Sequence, residues 1–210
     1  GECVFCDIEE FASCEQANPI GPDAGTAFFG GPTGSGSFNG LQAEKARIPF
    51  ADTTLVKLPD SISDEDGLLL SDIFPTGFMG AEMADVQAGD AVAVFGCGPV
   101  GQMAIASAKL FGASKIFAID CLQDRLDMAE LQGAIPINYE KVDPVKKLKE
   151  LTGGFGPDSC IDAVGIDAQA AHHGPASMKN LLFGGIQHMV EQKLVAPFSV
   201  LIGDKWRQGD

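Results

Sequence analysis

The chain has 210 residues, of which 45% are hydrophobic and 20% are charged, enough for one sizeable core and part of a second. Its net charge of −15 argues against nucleic acid or an anionic membrane surface as a partner. The sequence contains no run of about 18 apolar residues, so no transmembrane helix is predicted. No signal peptide is visible, and six cysteines, three of them clustered, indicate a metal site in the reducing cytoplasm rather than a disulfide scaffold.

The first segment of the chain carries the clustered cysteines. Cys3 and Cys6 form a C-x-x-C pair, and Cys14 follows shortly after them. Thiolates on a short loop suit tetrahedral zinc, which takes four ligands, although this segment supplies only three. The pattern predicts a zinc lobe, with a loop of unrelated cysteines as the alternative.

The segments from residue 20 to residue 66 have little regular pattern, and they are followed by an aspartate, Asp72, that lies among apolar residues. Residues 20–40 are rich in glycine, proline and serine and predict an irregular loop, whereas residues 41–57 partly alternate and predict short edge strands. Residues 61–66 have the composition of a helix start. Because burying a carboxylate is costly unless it is paired or ligates a metal, Asp72 is a candidate functional residue, with a helix cap as the alternative.

The most informative pattern lies between residues 90 and 120. Residues 91–95 predict a buried parallel strand, residues 101–110 a helix, and residues 115–119 a second strand that ends on Asp120. The intervening Gly-Cys-Gly-Pro-Val-Gly at residues 96–101 matches G-x-G-x-x-G. Strand, glycines, helix, strand and acid in this order are typical of a dinucleotide-binding fold.

Each residue of the glycine motif has an expected role. Gly96 permits the tight turn, Gly98 lets the backbone approach a pyrophosphate, and Gly101 lets the helix lie close to the strand. With Pro99 and Val100 at the helix start, the diphosphate is expected on unpaired N–H groups, where the helix dipole favours anions.

Asp120 determines which nucleotide is expected. Its carboxylate can accept hydrogen bonds from both hydroxyls of an adenosine ribose and repels a 2′-phosphate, which favours NAD over NADP. The alternative is an ordinary glycine turn between a core strand and a helix, with Asp120 as a solvated strand end.

The rest of the chain continues the alternation of helices and strands. A helix, an edge-like third strand, a basic helix and a fourth strand are predicted at residues 125–132, 135–139, 144–152 and 159–164. Val164 ends the fourth strand at the carboxyl edge of the sheet, where cofactor contacts belong. Beyond it, residues 180–186 predict a strand and residues 187–195 a helix, whereas His172 and His173 are interpreted as polar surface.

Together these motifs resemble the zinc-dependent medium-chain alcohol dehydrogenases over about residues 1–175. The cysteine segment is similar to their structural-zinc lobe, C-G-x-C-x-x-C-x7-C, if the residue before Gly1 is a cysteine. Residues 71–77, Ser-Asp-Ile-Phe-Pro-Thr-Gly, resemble the S-D-I-L-P-T-G motif of the branch containing glutathione-independent formaldehyde dehydrogenases and dismutases.

This resemblance implies a fold and a set of site residues. The fold is α/β, a Rossmann doubly wound parallel sheet at residues 58–198, with part of a GroES-like β catalytic domain at residues 1–57 and an unplaced tail at residues 199–210. The implied sites are structural zinc on Cys3, Cys6 and Cys14, catalytic zinc on Asp72, a nicotinamide contact from Thr76, and Arg125 along the adenosine ribose.

The resemblance also implies an activity. It is hydride transfer between NAD and a small alcohol or aldehyde, formaldehyde-like or short-chain, by a homodimer or homotetramer. Because the family's catalytic zinc also needs a cysteine and a histidine from an amino-terminal domain that has no match here, these 210 residues alone are expected to be an inactive fragment. A non-catalytic NAD-binding module with a zinc knob is the alternative, and a zinc-free quinone-reductase-like relative is a third.

Overall fold

The computed structural model describes residues 2–18, 28–31, 38–165 and 204–205. Contacts divide the chain into two units, residues 1–61 and 62–210. The strand and helix predicted at residues 180–186 and 187–195, together with His172 and His173, lie outside the described residues. Among the helices that are described, none is long and apolar enough to cross a lipid bilayer.

The first unit contains short helices and irregular chain. Helix α1 spans Val4–Asp7, a 3-10 turn spans Phe11–Ser13, and helix α2 spans Ala51–Thr54. The short strands predicted within residues 41–57 are therefore wrong. A strand needs a neighbouring ladder, whereas here the N–H groups of Thr53 and Thr54 donate to the carbonyl of Phe50 and close a local helical turn.

Two helices open the second unit. Helix α3 spans Asp64–Leu69, as the helix-start composition predicted, and the Ser63 hydroxyl oxygen caps it by accepting from the backbone N–H of Asp66 at 3.1 Å. Helix α4 spans Ile73–Met83. A side chain at Gly77 would meet the backbone of Met103 and Ala104 within 2.7 Å, so only glycine lets α4 lie this close to the helix that follows the glycine motif.

The described strands of the second unit form one sheet with the order β3-β2-β1-β4-β5. The strands are β1 Ala91–Phe95, β2 Lys115–Asp120, β3 Ile135–Asn138, β4 Ser159–Asp162 and β5 Asp204–Lys205. The connecting helices are α5 Pro99–Leu110, α6 Gln123–Leu131 and α7 Pro144–Leu151. The first four strands are parallel and β5 is antiparallel to β4, which confirms the predicted α/β sheet with β3 at its edge.

A core lies on each face of this sheet because successive side chains of a strand point to opposite sides. On one face Val92 and Val94 of β1 pack with Ile105 of α5, and on the other Ala93 packs with Leu148 of α7. Burial on both faces explains the uninterrupted apolar run of β1. The strand order reverses between β1 and β4, and sheets of this kind bind ligands beyond the carboxyl ends of the strands at such a reversal.

Candidate functional site

Two glycines of the loop between β1 and α5 are required by the protein's own geometry. Gly96 has φ 80°, a conformation that residues with a side chain rarely adopt, and a Cβ there would meet Cγ2 of Val164 at 2.8 Å. A Cβ on Gly101 would overlap the carbonyl oxygen of Gly96. The tight turn and the close approach of helix to strand therefore both depend on glycine.

Gly98 is different, because none of the described residues requires a glycine at this position. Its φ of −68° suits any residue, and among the described neighbours a Cβ would meet the guanidinium of Arg125 alone, at 3.8 Å and 3.9 Å. Gly98 caps α5 without a side chain, Pro99 has no N–H, and Val100 follows in the first turn, where amides lack intrahelical acceptors. The missing side chain thus leaves open space beside a cation and a helix N-terminus.

Asp120 ends β2 at the same edge of the sheet, with 4% of its surface exposed. Its Oδ1 accepts from the N–H groups of Cys121 at 2.7 Å and Leu122 at 3.0 Å, and its Oδ2 accepts from the N–H of Cys97 at 2.7 Å. A carboxylate has about four acceptor positions, and the three amides occupy three of them, which leaves fewer than the two ribose hydroxyls expected from the sequence would need.

The charge of Asp120 is well stabilised. Burial alone raises the pKa of Asp120, but the amides of Leu122, Cys97 and Cys121 and the Arg125 guanidinium outweigh that effect and hold the pKa below its usual value. A negative charge is therefore present at this position at neutral pH, close to where the glycine loop begins.

Arg125 and Val164 complete the edge. Arg125 Nη1 lies 3.6 Å from Asp120 Oδ2, and the side chain is about half exposed, next to the open space at Gly98. Val164 packs on Gly96, and its N–H donates to Asp162 Oδ1 at 2.9 Å. The structure thus brings together the residues that the sequence predicted as cofactor-binding: Gly96, Gly98, Pro99, Val100, Gly101, Asp120, Arg125 and Val164.

Two neighbours of this edge were not predicted from the sequence. Cys97 is 1% exposed, and burial together with the charge of Asp120 raises the pKa of its thiol to about 12, so it is a neutral packing group. Gln102 is a buried polar residue that bonds two carbonyls, one in the glycine loop and one in α6. The sequence feature that could have indicated Gln102 is that a glutamine lies among apolar residues at the start of a helix.

The three clustered cysteines form a second candidate site, in the first unit. The Sγ atoms of Cys3, Cys6 and Cys14 all lie within 4.8 Å of one another, with 3.5 Å between those of Cys3 and Cys6. Because Zn–S bonds of about 2.3 Å at tetrahedral angles place sulfurs about 3.8 Å apart, the three thiols fit a zinc ion. Within the described residues the cluster contains no fourth ligand.

Backbone hydrogen bonds favour the thiolate form of one cysteine in the cluster, which is the form that binds a metal. Hydrogen bonds from the backbone of Glu15 and then of Cys6 lower the pKa of the Cys3 thiol to about 7. Burial, with the neighbouring thiols of Cys3 and Cys14, raises the pKa of Cys6. The Asn18 side chain donates to the carbonyls of Ala12 and Cys14 at 2.8 Å and 3.0 Å and holds the loop closed.

Asp72 and Thr76 form a pair at the start of α4. The Thr76 hydroxyl donates to Asp72 Oδ1 at 2.8 Å, and the Asp72 side chain is exposed. Asp72 occupies the N-cap position but its side chain accepts from no backbone N–H of the helix. In the described residues Asp72 belongs to no group of three possible metal ligands, and its role as a ligand of catalytic zinc stays a prediction.

Comparison with known proteins adds a family to this geometry. A family model described as zinc-binding dehydrogenase matches residues 99–178. The medium chain reductase/dehydrogenase ucsI of Acremonium is 35% identical over 97% of this chain and 67% of its own length. The chain belongs to the zinc-dependent medium-chain alcohol dehydrogenase family. The resemblance read from the cysteines and the glycine motif is confirmed.

Other members of the family are also similar to it. The glutathione-independent formaldehyde dehydrogenase of Bacillus subtilis is 37% identical over 86% of this chain and 45% of its own length. The solved structure of alcohol dehydrogenase TADH from Thermus sp. ATN1 is 38% identical, with a TM-score of 0.70 over 87% of this chain and 48% of that one. The chain thus spans about half the length of these two relatives.

Proposed function

We propose that the protein is an oxidoreductase that transfers a hydride between NAD and a small alcohol or aldehyde. The observation that carries the proposal is the edge at which Gly98 leaves open space beside a helix N-terminus while Asp120 places a fixed negative charge nearby. Membership of a zinc-binding dehydrogenase family supports the reaction class.

The chain's own residues have distinct parts in holding the nucleotide. The first-turn amides of α5, including that of Val100, hydrogen-bond the diphosphate, and the open space at Gly98 admits it. Asp120 Oδ2 accepts from a ribose hydroxyl in addition to the Cys97 amide, and the charge of Asp120 disfavours a 2′-phosphate. Arg125 lies along the same ribose. NAD, when bound, supplies the acceptor for the hydride.

The substrate and the metals are assigned on a different basis. Cys3, Cys6 and Cys14 hold a structural zinc that stabilises their loop. The segment containing Asp72 and Thr76 resembles that of formaldehyde dehydrogenases, and one relative carries that name, so formaldehyde or a short alcohol is the proposed substrate. Assembly as a dimer or tetramer remains a prediction from the resemblance, and a location in the cytoplasm remains a prediction from the clustered cysteines.

A second candidate function is a nucleotide-binding module without catalysis. It is favoured by the exposure of Asp72, which lies in no group of three metal ligands within the part of the chain that is described. In this case Asp120, Gly98 and the cysteine cluster keep the same roles. The two candidates differ only in turnover.

Nucleotide titration tests the proposal. Isothermal calorimetry should show that the wild-type chain binds NAD at least roughly tenfold more tightly than NADP. Asp120→Asn should narrow that preference, whereas Asp124→Asn, an equal charge change at an exposed position of α6, should preserve it. Absence of NAD binding, or an unchanged preference in Asp120→Asn, contradicts the proposal.

Turnover separates the two candidate functions. Formaldehyde and short alcohols are assayed by NADH absorbance, with zinc measured in the same samples. Because the 210 residues alone are expected to be inactive, the assay uses a longer form that carries the family's amino-terminal zinc ligands. Reduction of NAD by that zinc-loaded form supports the oxidoreductase, whereas NAD binding without turnover in that form supports the non-catalytic module.

A further inference from the structure

Gln102 is an unusual residue for its position. It lies one residue after the last glycine of the motif, in a helix that packs on the sheet, and only 5% of it is exposed. A buried primary amide is retained without cost only when its donors and its acceptor are all hydrogen-bonded. No interaction with the diphosphate or the ribose has been assigned to it.

Its hydrogen bonds connect two separate parts of the nucleotide edge. The Nε2 group donates to the carbonyl oxygen of Cys97 at 2.9 Å and to that of Arg125 at 2.9 Å, while Oε1 accepts from Gln132 Nε2 at 2.6 Å. The two carbonyls can only accept, so they fix which end of the amide is nitrogen. Both amide hydrogens are therefore used, and one lone pair of the oxygen is occupied.

The two carbonyls belong to segments that a dinucleotide contacts at different points. Cys97 is part of the glycine loop, and its N–H is bound by Asp120. Arg125 is in the first turn of α6, and its guanidinium borders the open space at Gly98. One side chain thus holds the loop and the start of α6 at a constant separation from inside the protein.

We propose that Gln102 is a positioning residue for nucleotide binding, which presets the distance between the glycine loop and the turn that presents Arg125. The inference deepens the proposed function and rests on it. A ligand that spans both segments binds more tightly when it does not have to order them first. Gln102 itself contacts no ligand, and it acts through the backbone of Cys97 and Arg125.

The test compares affinity with stability in matched variants. Gln102→Met is of similar size and leaves both carbonyls without their donor. Ser107→Ala is the control, because Ser107 is buried in the same helix and its hydroxyl donates only to the carbonyl of Met103, within that helix. The dissociation constants for NAD and ADP-ribose are measured by calorimetry on the 210-residue chain, at a temperature where thermal melts show each variant fully folded.

Gln102→Met should weaken both ligands by roughly tenfold, as expected from two lost hydrogen bonds, whereas Ser107→Ala should change melting temperature without changing affinity. Gln132→Met removes only the bond to Oε1 and should weaken binding by roughly two- to threefold; it carries the test if Gln102→Met does not fold. A wild-type chain that binds neither ligand refutes the proposed function and this inference with it. Wild-type binding together with unchanged affinity in the folded glutamine variants refutes the inference alone.

Discussion

Gly98→Ala should strongly weaken nucleotide binding while leaving the fold intact. The added methyl group has room, because its nearest neighbours are guanidinium atoms of Arg125 at 3.8 Å and 3.9 Å, and φ of −68° suits alanine. As an N-cap, alanine costs about 0.5–1 kcal/mol relative to glycine, but it gains about 0.4–1 kcal/mol by restricting the unfolded chain. The free energy of unfolding should therefore change by less than about 1 kcal/mol.

The effect on the ligand is expected to be much larger. The methyl group occupies the space through which a diphosphate reaches the first-turn amides of α5. Hydrogen bonds to a charged group contribute about 1.5–3 kcal/mol each, so displacement from one or two of them weakens binding by at least roughly tenfold. If Gly98→Ala leaves stability unchanged but weakens ligand binding, the glycine is required for binding. A glycine required for packing would instead lower stability when it is replaced.

The assay is calorimetric titration with ADP-ribose alongside urea unfolding. Gly101→Ala is the contrasting variant, because its Cβ would overlap the Gly96 carbonyl oxygen, and it should lose about 1–3 kcal/mol of stability or more. Gly40→Ala, with an ordinary nearest contact of 3.6 Å in the first unit, is the control for a neutral substitution. Normal ADP-ribose binding by Gly98→Ala would refute the reasoning about the open space.

Three further predictions concern charge, metal and thiols. Because its hydrogen bonds hold the pKa of Asp120 below the usual value, the stability it contributes is present above the unfolded pKa of about 4 and is lost as pH falls through the folded pKa. Asp120→Asn should lose this part of the acid dependence in urea unfolding between about pH 5 and pH 2, and parallel curves for the two proteins would count against the prediction. Elemental analysis should find about one zinc per wild-type chain and much less in Cys14→Ser, since a thiolate ligand is lost. The control Cys160→Ser lies outside the cluster and should retain the zinc. Equal zinc content in both variants would show that the cysteine cluster is not the zinc site. Iodoacetamide at neutral pH should not label Cys97 in the folded chain, because its thiol is buried with a pKa of about 12, and should label it after denaturation. The half-buried Cys121 is the control and should react in both states. Peptide mapping that finds Cys97 labelled in the folded chain would show that the loop opens.

The predicted elements succeeded where the sequence pattern is local. The strand at residues 91–95 was predicted with its observed bounds, because an apolar run is flanked there by Asp90 and Gly96. The helix after the glycine motif begins at Pro99, two residues earlier than expected, since proline suits the first helical position. The strands expected within residues 41–57 are absent from that described segment, because alternation alone does not supply a pairing partner.

The site residues divide in the same way. Gly101 follows from the spacing of the motif, because its overlap with the Gly96 carbonyl oxygen arises within six residues of chain, whereas the clash at Gly96 comes from the distant Val164. The sequence presented Asp120 as an acceptor for a ribose, but did not show that three backbone amides already bind it. One of these amides belongs to Cys97, which is 23 residues away along the chain.

The amino-acid sequence was enough to specify the glycine turn, the cysteine loop and the acid at the end of β2, because turns, caps and short ligand loops close within a few residues. The tertiary structure alone decided which distant carbonyls Gln102 bridges, how little of Asp120 remains free, and that Gly98 borders Arg125 rather than a packed side chain. The physical reason is that a buried polar group must find its partners among whatever elements pack around it, and the linear order of residues does not specify that packing.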